Sequence, residues 1–222
     1  MADVGSLTKE TIISYHEGMA TLPDVRTRLR GRPREFDLDA ALDAALPVFR
    51  ERGFHAASIA DLGAATGLTA GSLYKAFADK RGLFLAAFER YTAQRAARLN
   101  EALARVGTGR ERVRVLLTFY ADSSLGVEGR RGCLVALAAT ELATFDAAMA
   151  AHVAAALQRV EAQAGELVRL GQADGSIARA LDPVALARTL LCLLQGMRVV
   201  GKVGASPEAM HAVVEQGMRL LD

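Results

Sequence analysis

Apolar residues return every three or four positions through most of the chain, the period of a helix with one buried face. Leu38, Leu42, Leu46 and Phe49 form the first such stripe, which Asp37 can cap and Gly53 ends. Pro47 lies inside it and should remove the backbone bond to Asp43 and bend the helix. Ile59, Leu62 and Ala65 form a second, shorter stripe behind Ser58, with Asp61 at capping-box spacing. Gly67 supplies the positive φ of a sharp turn, Leu68 plugs its corner, and Thr69 caps a third helix with Leu73 and Phe77 inward. Asp79 caps a long helix running through Leu83, Phe84, Ala87 and Tyr91 to about Arg105.

Beyond a boundary at Val106 to Gly109, five further helical stretches are predicted, roughly 110–125, 131–143, 146–174, 183–202 and 207–221. The breaks fall at Gly126 to Gly129, Thr144 to Phe145, Gly175 and Gly204. Asp182-Pro183 and Ser206-Pro207 each put a capping residue before a proline at the first helical position. No stretch alternates like a strand, and there is no internal repeat. The reading is all-α: a helix-turn-helix of short helices near the amino end, then a larger helical region.

Composition agrees with packed helices. Of 222 residues, 51% are hydrophobic and only 5% aromatic, with no Trp, whereas sheets favour β-branched and aromatic residues. Two cysteines, Cys133 and Cys192, make no disulfide framework. Residues 1–25 lack the basic start and apolar block of a secretory signal; they read as a loose extension with a helical turn near Glu10 to Met19. No apolar run approaches the ~20 residues of a membrane span. A soluble, cytoplasmic protein with no membrane partner is expected.

Net charge is only +2, so the arginine run RTRLRGRPREFD is a local feature. Arg26, Arg28, Arg30, Arg32 and Arg34 occupy every second position just ahead of the first helix. Gly31-Arg32-Pro33 has the core pattern of an AT-hook, an extended strand that lays arginines in a narrow minor groove. Arg32 and Arg34 would track that groove. Arg26, Arg28 and Arg30 would add affinity by counterion release. The plain alternative is a basic tail that aids solubility.

From about Pro33 to Arg90 the chain resembles the DNA-binding domain of the tetracycline-repressor (TetR) family of regulators. The resemblance rests on the Glu51-Arg52-Gly53-Phe54 turn, the Ser58 cap, Gly67, the string Leu73-Tyr74-x-x-Phe77-x-Asp79-Lys80, and Leu83-Phe84. Three positions depart from the family. Ala76 stands where His or Tyr is usual, so a common phosphate contact would be missing or supplied by Lys75. Gly63 replaces a small alanine, and Pro47 is unusual in the first helix. The resemblance implies three regions: 1–34 a flexible extension with a basic arm, 35–95 the helix-turn-helix domain, and 106–222 a helical ligand-binding and dimerisation domain.

The chemistry of the motif supports DNA binding on its own terms. One α-helix fits the major groove, with residues near its N-terminus reaching base edges. Thr69, Ala70, Gly71 and Ser72 are small enough for close approach, Lys75 reaches a guanine edge or a phosphate, and Tyr74 offers a hydroxyl to phosphate. Ser58 and Lys80 sit at helix starts, where free N–H groups bind phosphate. Residues 70–75 would read sequence while the other contacts position the module.

In the second half, VALARTLLCLLQGMRVVG is apolar nearly all round and must be covered on two sides. Met210, Val213, Val214, Met218 and Leu221 make a companion stripe. The family resemblance implies that these two helices pair across a two-fold axis, giving a homodimer for a palindromic double-stranded operator, and that the remaining helices enclose a small-molecule effector. Phe119, Tyr120, Cys133, Leu137, Glu141, Phe145, Met149 and His152 are the pocket candidates. Glu141 is either a ligand-facing carboxylate or the partner of a nearby arginine. Cys133, at a helix start, is either a thiol whose pKa the dipole lowers or a small buried hydrophobe. Cys192 is expected in the core.

The four histidines show no metal spacing, and no cofactor is expected. No nucleophile–base pair or phosphate loop points to an enzyme. The reading is a ligand-responsive, sequence-specific regulator, most simply a repressor. The alternative is a nonspecific or architectural DNA binder driven by the arginine strand.

Overall fold

Asp37 opens the described part of the molecule, accepting hydrogen bonds from the backbone N–H groups of Asp39 (2.9 Å) and Ala40 (3.2 Å). The computed structural model describes residues 37–144 and 146–222; the expected turn at Glu10 to Met19, the arginine strand with Arg32 and Arg34, and Phe145 lie outside them. Among the described residues there are ten helices and no strand. They are α1 (Leu38–Ala56), α2 (Ile59–Thr66), α3 (Ala70–Phe77), α4 (Lys80–Leu103), α5 (Gly109–Asp122), α6 (Gly126–Arg131), α7 (Leu134–Glu141), α8 (Ala147–Asp174), α9 (Pro183–Lys202) and α10 (Pro207–Arg219).

The all-α expectation holds, with three local differences. The α1 segment breaks at Gly53 (φ 81°, ψ 172°), while the residues around Pro47 keep helical dihedrals. The segment 126–129, expected as a break, opens the short helix α6. Cys192 is exposed rather than in the core, because one apolar face of α9 is left uncovered by the described helices. That helix also corrects the expectation about membrane-length runs. By length and composition alone α9 is apolar enough to cross a membrane. Its other face is core, with Leu186, Leu190, Leu194 and Met197 buried.

Two apolar cores organise the helices. One gathers Phe49, Leu62, Leu73, Phe84 and Phe88 of α1–α4, and α7 and the first half of α8 join it through Leu134, Ala138, Met149 and Val153. The other is built by α5, the second half of α8, α9 and α10 around Leu116, Leu117, Val168, Leu190 and Met218. The helix α4 contributes to both, with Phe84 and Phe88 in the first and Leu99 and Leu103 in the second. Close crossings need glycine at particular points: a Cβ on Gly109 would lie 2.0 Å from the backbone nitrogen of Gly171.

Candidate nucleic-acid interface

The turn between α2 and α3 forms as the residue types dictate. Ser58 and Asp61 make a reciprocal capping box: the Asp61 N–H donates to Ser58 Oγ (3.1 Å) and the Ser58 N–H to Asp61 Oδ2 (3.0 Å). The Ser58 hydroxyl also donates to Asp61 Oδ2 (2.7 Å), and this bond, followed by that from the Ser58 N–H, holds the Asp61 carboxyl below its ordinary pKa. Gly67 ends α2 in the left-handed region (φ 69°, ψ 15°). A Cβ on Gly63 would meet the Leu68 carbonyl at 2.9 Å, so the corner packs closely over this position and a larger residue would have to shift it. Thr69 then caps α3 by accepting from the Ser72 N–H at 3.2 Å.

One face of α3 is anchored and the other is bare. Leu73 is 2% exposed in the first core. Ala70, Gly71, Tyr74, Lys75 and Ala76 are exposed, Tyr74 by 47%, while Ser72 is half-buried and its hydroxyl lies 3.0 Å from that of Thr69. At the far end Ala78 takes φ 66°, a strained value for a residue with a Cβ, and its N–H donates to Tyr74 O. Gly82 permits the tight passage into α4, since a Cβ there would stand 2.0 Å from Phe77 O. Ser58 and Thr69 are both exposed at their helix starts.

Lys80 is placed differently from the expectation. Its ammonium donates to the carbonyls of Ala57 (3.0 Å) and His55 (3.4 Å) and sits 4.6 Å from the centre of the Phe54 ring. It ties the end of α1 to the start of α4, and a phosphate contact would require it to leave those partners.

The pocket candidates separate into two groups. Phe119, Tyr120 and Cys133 line a cavity of about 100 Å³ between α4, α5, α8 and α9. Arg95, Gln163 and Gln195 are among its polar lining, and Leu99, Val135 and Leu157 are among its apolar walls. These polar residues were missed in the sequence, although Arg95 follows Tyr91 and precedes Leu99 on the inward face of α4, a charged residue in an apolar register. Burial pushes the Tyr120 phenol up in pKa. Burial acts the same way on the Cys133 thiol, but the positive charge of Arg198, the Ala136 N–H and Arg95 outweigh it and bring the thiol below its usual value.

Leu137, Glu141, Met149 and His152 do not line this cavity. Met149 is buried and Leu137 half-buried in the first core. His152 Nδ1 faces Glu89 at 3.6 Å. Glu141 Oε2 accepts from the Phe54 N–H at 2.8 Å, directly over Gly53. This carboxylate therefore closes the break in α1 and has neither a ligand cavity nor an arginine as its partner among the described residues.

Comparison with known proteins agrees with this geometry. Residues 41–87 match the family described as bacterial regulatory proteins, tetR family, and residues 109–216 match the tetracyclin repressor-like C-terminal domain. The HTH-type transcriptional repressor ComR of Escherichia coli is 33% identical over 195 residues, spanning 86% of this chain and 91% of ComR. The uncharacterized HTH-type transcriptional regulator YezE of Bacillus subtilis is 28% identical, over 86% of this chain and all of YezE. Among solved structures, the TetR-family regulator CifR, a cysteine mutant complexed with 26-bp double-strand operator DNA, superposes with a TM-score of 0.76 at 36% identity, covering 85% of this chain and 98% of CifR. The chain is a DNA-binding transcriptional regulator, not an enzyme, and it belongs to the TetR family.

Proposed function

We propose that the chain is a ligand-responsive repressor that binds a palindromic operator as a homodimer in the cytoplasm. The observation that carries this reading is the bare face of α3, held out by the buried Leu73 and presenting Ala70, Gly71, Tyr74 and Lys75. That face enters the major groove: residues 70–75 read bases, while Ser58, Thr69 and Tyr74 bind phosphates. Arg32 and Arg34 follow the adjacent minor groove. Lys80 acts by holding the end of α1. Residues 35–95 form the reading domain and 106–222 the sensing and dimerising one.

The dimer reading is supported by the uncovered face of α9 and α10. Ala185, Thr189, Cys192, Gly196, Val199 and Val203 recur along one exposed stripe, with Val203 86% exposed, and Leu220 just after α10 is exposed as well. Small residues let two helix pairs approach closely, and two copies place two α3 helices about one DNA turn apart. Repression is supported by relatives such as ComR, named a repressor. The effector occupies the cavity beside Phe119, Tyr120 and Cys133. It lowers operator affinity only through different affinities for two arrangements of the dimer; a near-complete switch takes ~5 kcal/mol.

Selection of bound DNA from a random pool, followed by competition against random duplex at fixed salt, tests the reading. A palindromic consensus with strong preference over random duplex is expected. Equal binding to both overturns it in favour of a nonspecific binder driven by the arginine strand, as would loss of all binding on removal of residues 1–34 with no preference left.

A further inference from the structure

Beside the apolar cavity lies a second, more polar cleft of about 520 Å³, between α1, α4, the α5–α6 turn and α9. Five arginines line it: Arg50, Arg95, Arg98, Arg131 and Arg198. The acidic groups on its walls are Asp43, Asp122 and Glu128, and each is engaged. Glu128 accepts from Arg50 and Arg131, both at 2.8 Å, and these bonds lower its pKa. Asp43 is held by Arg90 (2.6 Å) and Gln94 (2.9 Å), and Asp122 lies 3.5 Å from His211. Arg95, Arg98 and Arg198 have no carboxylate partner among the described residues.

Two of these arginines carry a buried nitrogen left without a partner. Arg198 is 2% exposed; its Nη atoms donate to Ser123 O, Ser124 Oγ (3.3 Å) and Gly132 O (3.2 Å), yet its Nε has no partner. The Arg95 guanidinium lies 4.9 Å from the ring centres of both Phe119 and Tyr120, and its Nη2 has no partner. The buried phenol of Tyr91, on the same wall, is the third such group, and burial keeps its proton in place, so it is a donor. Three of the four unpartnered buried polar side-chain atoms among the described residues thus belong to residues that line one cleft. A buried cation without an anion is costly, and all three groups donate.

We propose that this cleft is a binding site for a small organic anion, a carboxylate or phosphate ester, whose oxygens accept from Arg95, Arg198 and Tyr91. Arg98, exposed at the mouth, draws the anion in. Phe119, which borders both cavities, offers a ring to an apolar tail. The anion would touch Arg95 of α4 and Arg198 of α9 together, so its occupancy bears on the angle of α4, which runs from the first core into the second. The site stands without the operator reading; only its effect on DNA rests on that reading.

Benzoate, phenyl phosphate and inorganic phosphate, titrated into the full-length protein at constant ionic strength, should raise its melting temperature saturably, and neutral benzamide should not. Arg95→Gln should weaken the anion response about tenfold or more, and Arg98→Gln should weaken it less. If Arg95→Gln does not fold, Arg95→Lys and Arg98→Gln carry the comparison. No saturable response to any of the three anions, or an equal response from benzamide or from the variants, overturns the site. Operator binding by the same sample, measured without anion, separates the two readings: it succeeds while the site fails, or fails while the site holds.

Discussion

Single residues set the exposed face of α3 and the joints around it. Lys75 is exposed on α3 and bonds to nothing among the described residues, so Lys75→Ala should leave the melting temperature unchanged and weaken operator binding. A loss of about 1–3 kcal/mol confined to one base position identifies a base contact, and a uniform loss with a salt slope smaller by about 1 identifies a phosphate contact. Two glycines separate conformational strain from collision. Gly67→Ala meets open space and faces only the left-handed backbone, about 1–2 kcal/mol. Gly53→Ala takes a more restricted backbone, about 1–3 kcal/mol, and adds a Cβ 2.4 Å from Glu141 Oε1. Chemical denaturation should show Gly53→Ala as the more damaging of the two, with the difference smaller in a Glu141→Ala background, where the colliding atoms are gone.

Elements were legible where capping chemistry and periodicity agreed. Asp37, Ser58, Thr69, Asp79, Asp182 and Ser206 all cap the helices they were expected to start. The helix α6 was hidden because its glycines read as breakers, yet Gly129 is where α6 meets the chain beyond α5: a Cβ there would lie 2.1 Å from Ser124 O. Glu141 was misplaced for a related reason. An acid in an apolar run signals an internal partner, but local pattern says nothing about a backbone N–H 87 residues away. The polar cavity residues Arg95, Gln163 and Gln195 come from three helices whose meeting is a matter of tertiary packing.

At the same scale, Arg81 of α4 pairs with Asp146, the cap of α8, and that hydrogen-bonded pairing depresses the Asp146 carboxyl far below its ordinary value. A depressed carboxylate contributes stability that is complete above its unfolded pKa of about 3.9 and is lost as pH falls toward the folded value. Asp146→Asn should therefore lower the melting temperature near neutrality, and the gap from the parent protein should shrink as pH drops below about 4.

For the whole molecule, the exposed stripe of α9 is the feature most open to test. Gly196 has open space around it within the protomer, so Gly196→Arg should not disturb the monomer fold. Analytical ultracentrifugation should show it shifting the protein from dimer to monomer, with cooperative operator binding lost alongside. Packing also runs across the expected boundary near residue 106. The first core is shared by α1–α4 with α7 and the start of α8, so the amino-terminal four helices do not own their hydrophobic interior. Cutting the chain after α4 would bare the sides of Phe49, Phe84 and Tyr91 that rest in that shared interior. The excised piece, unlike a self-sufficient homeodomain-style module, should come off the ribosome sticky and poorly folded, and grafting it alone onto another effector domain should fail unless α7 travels with it.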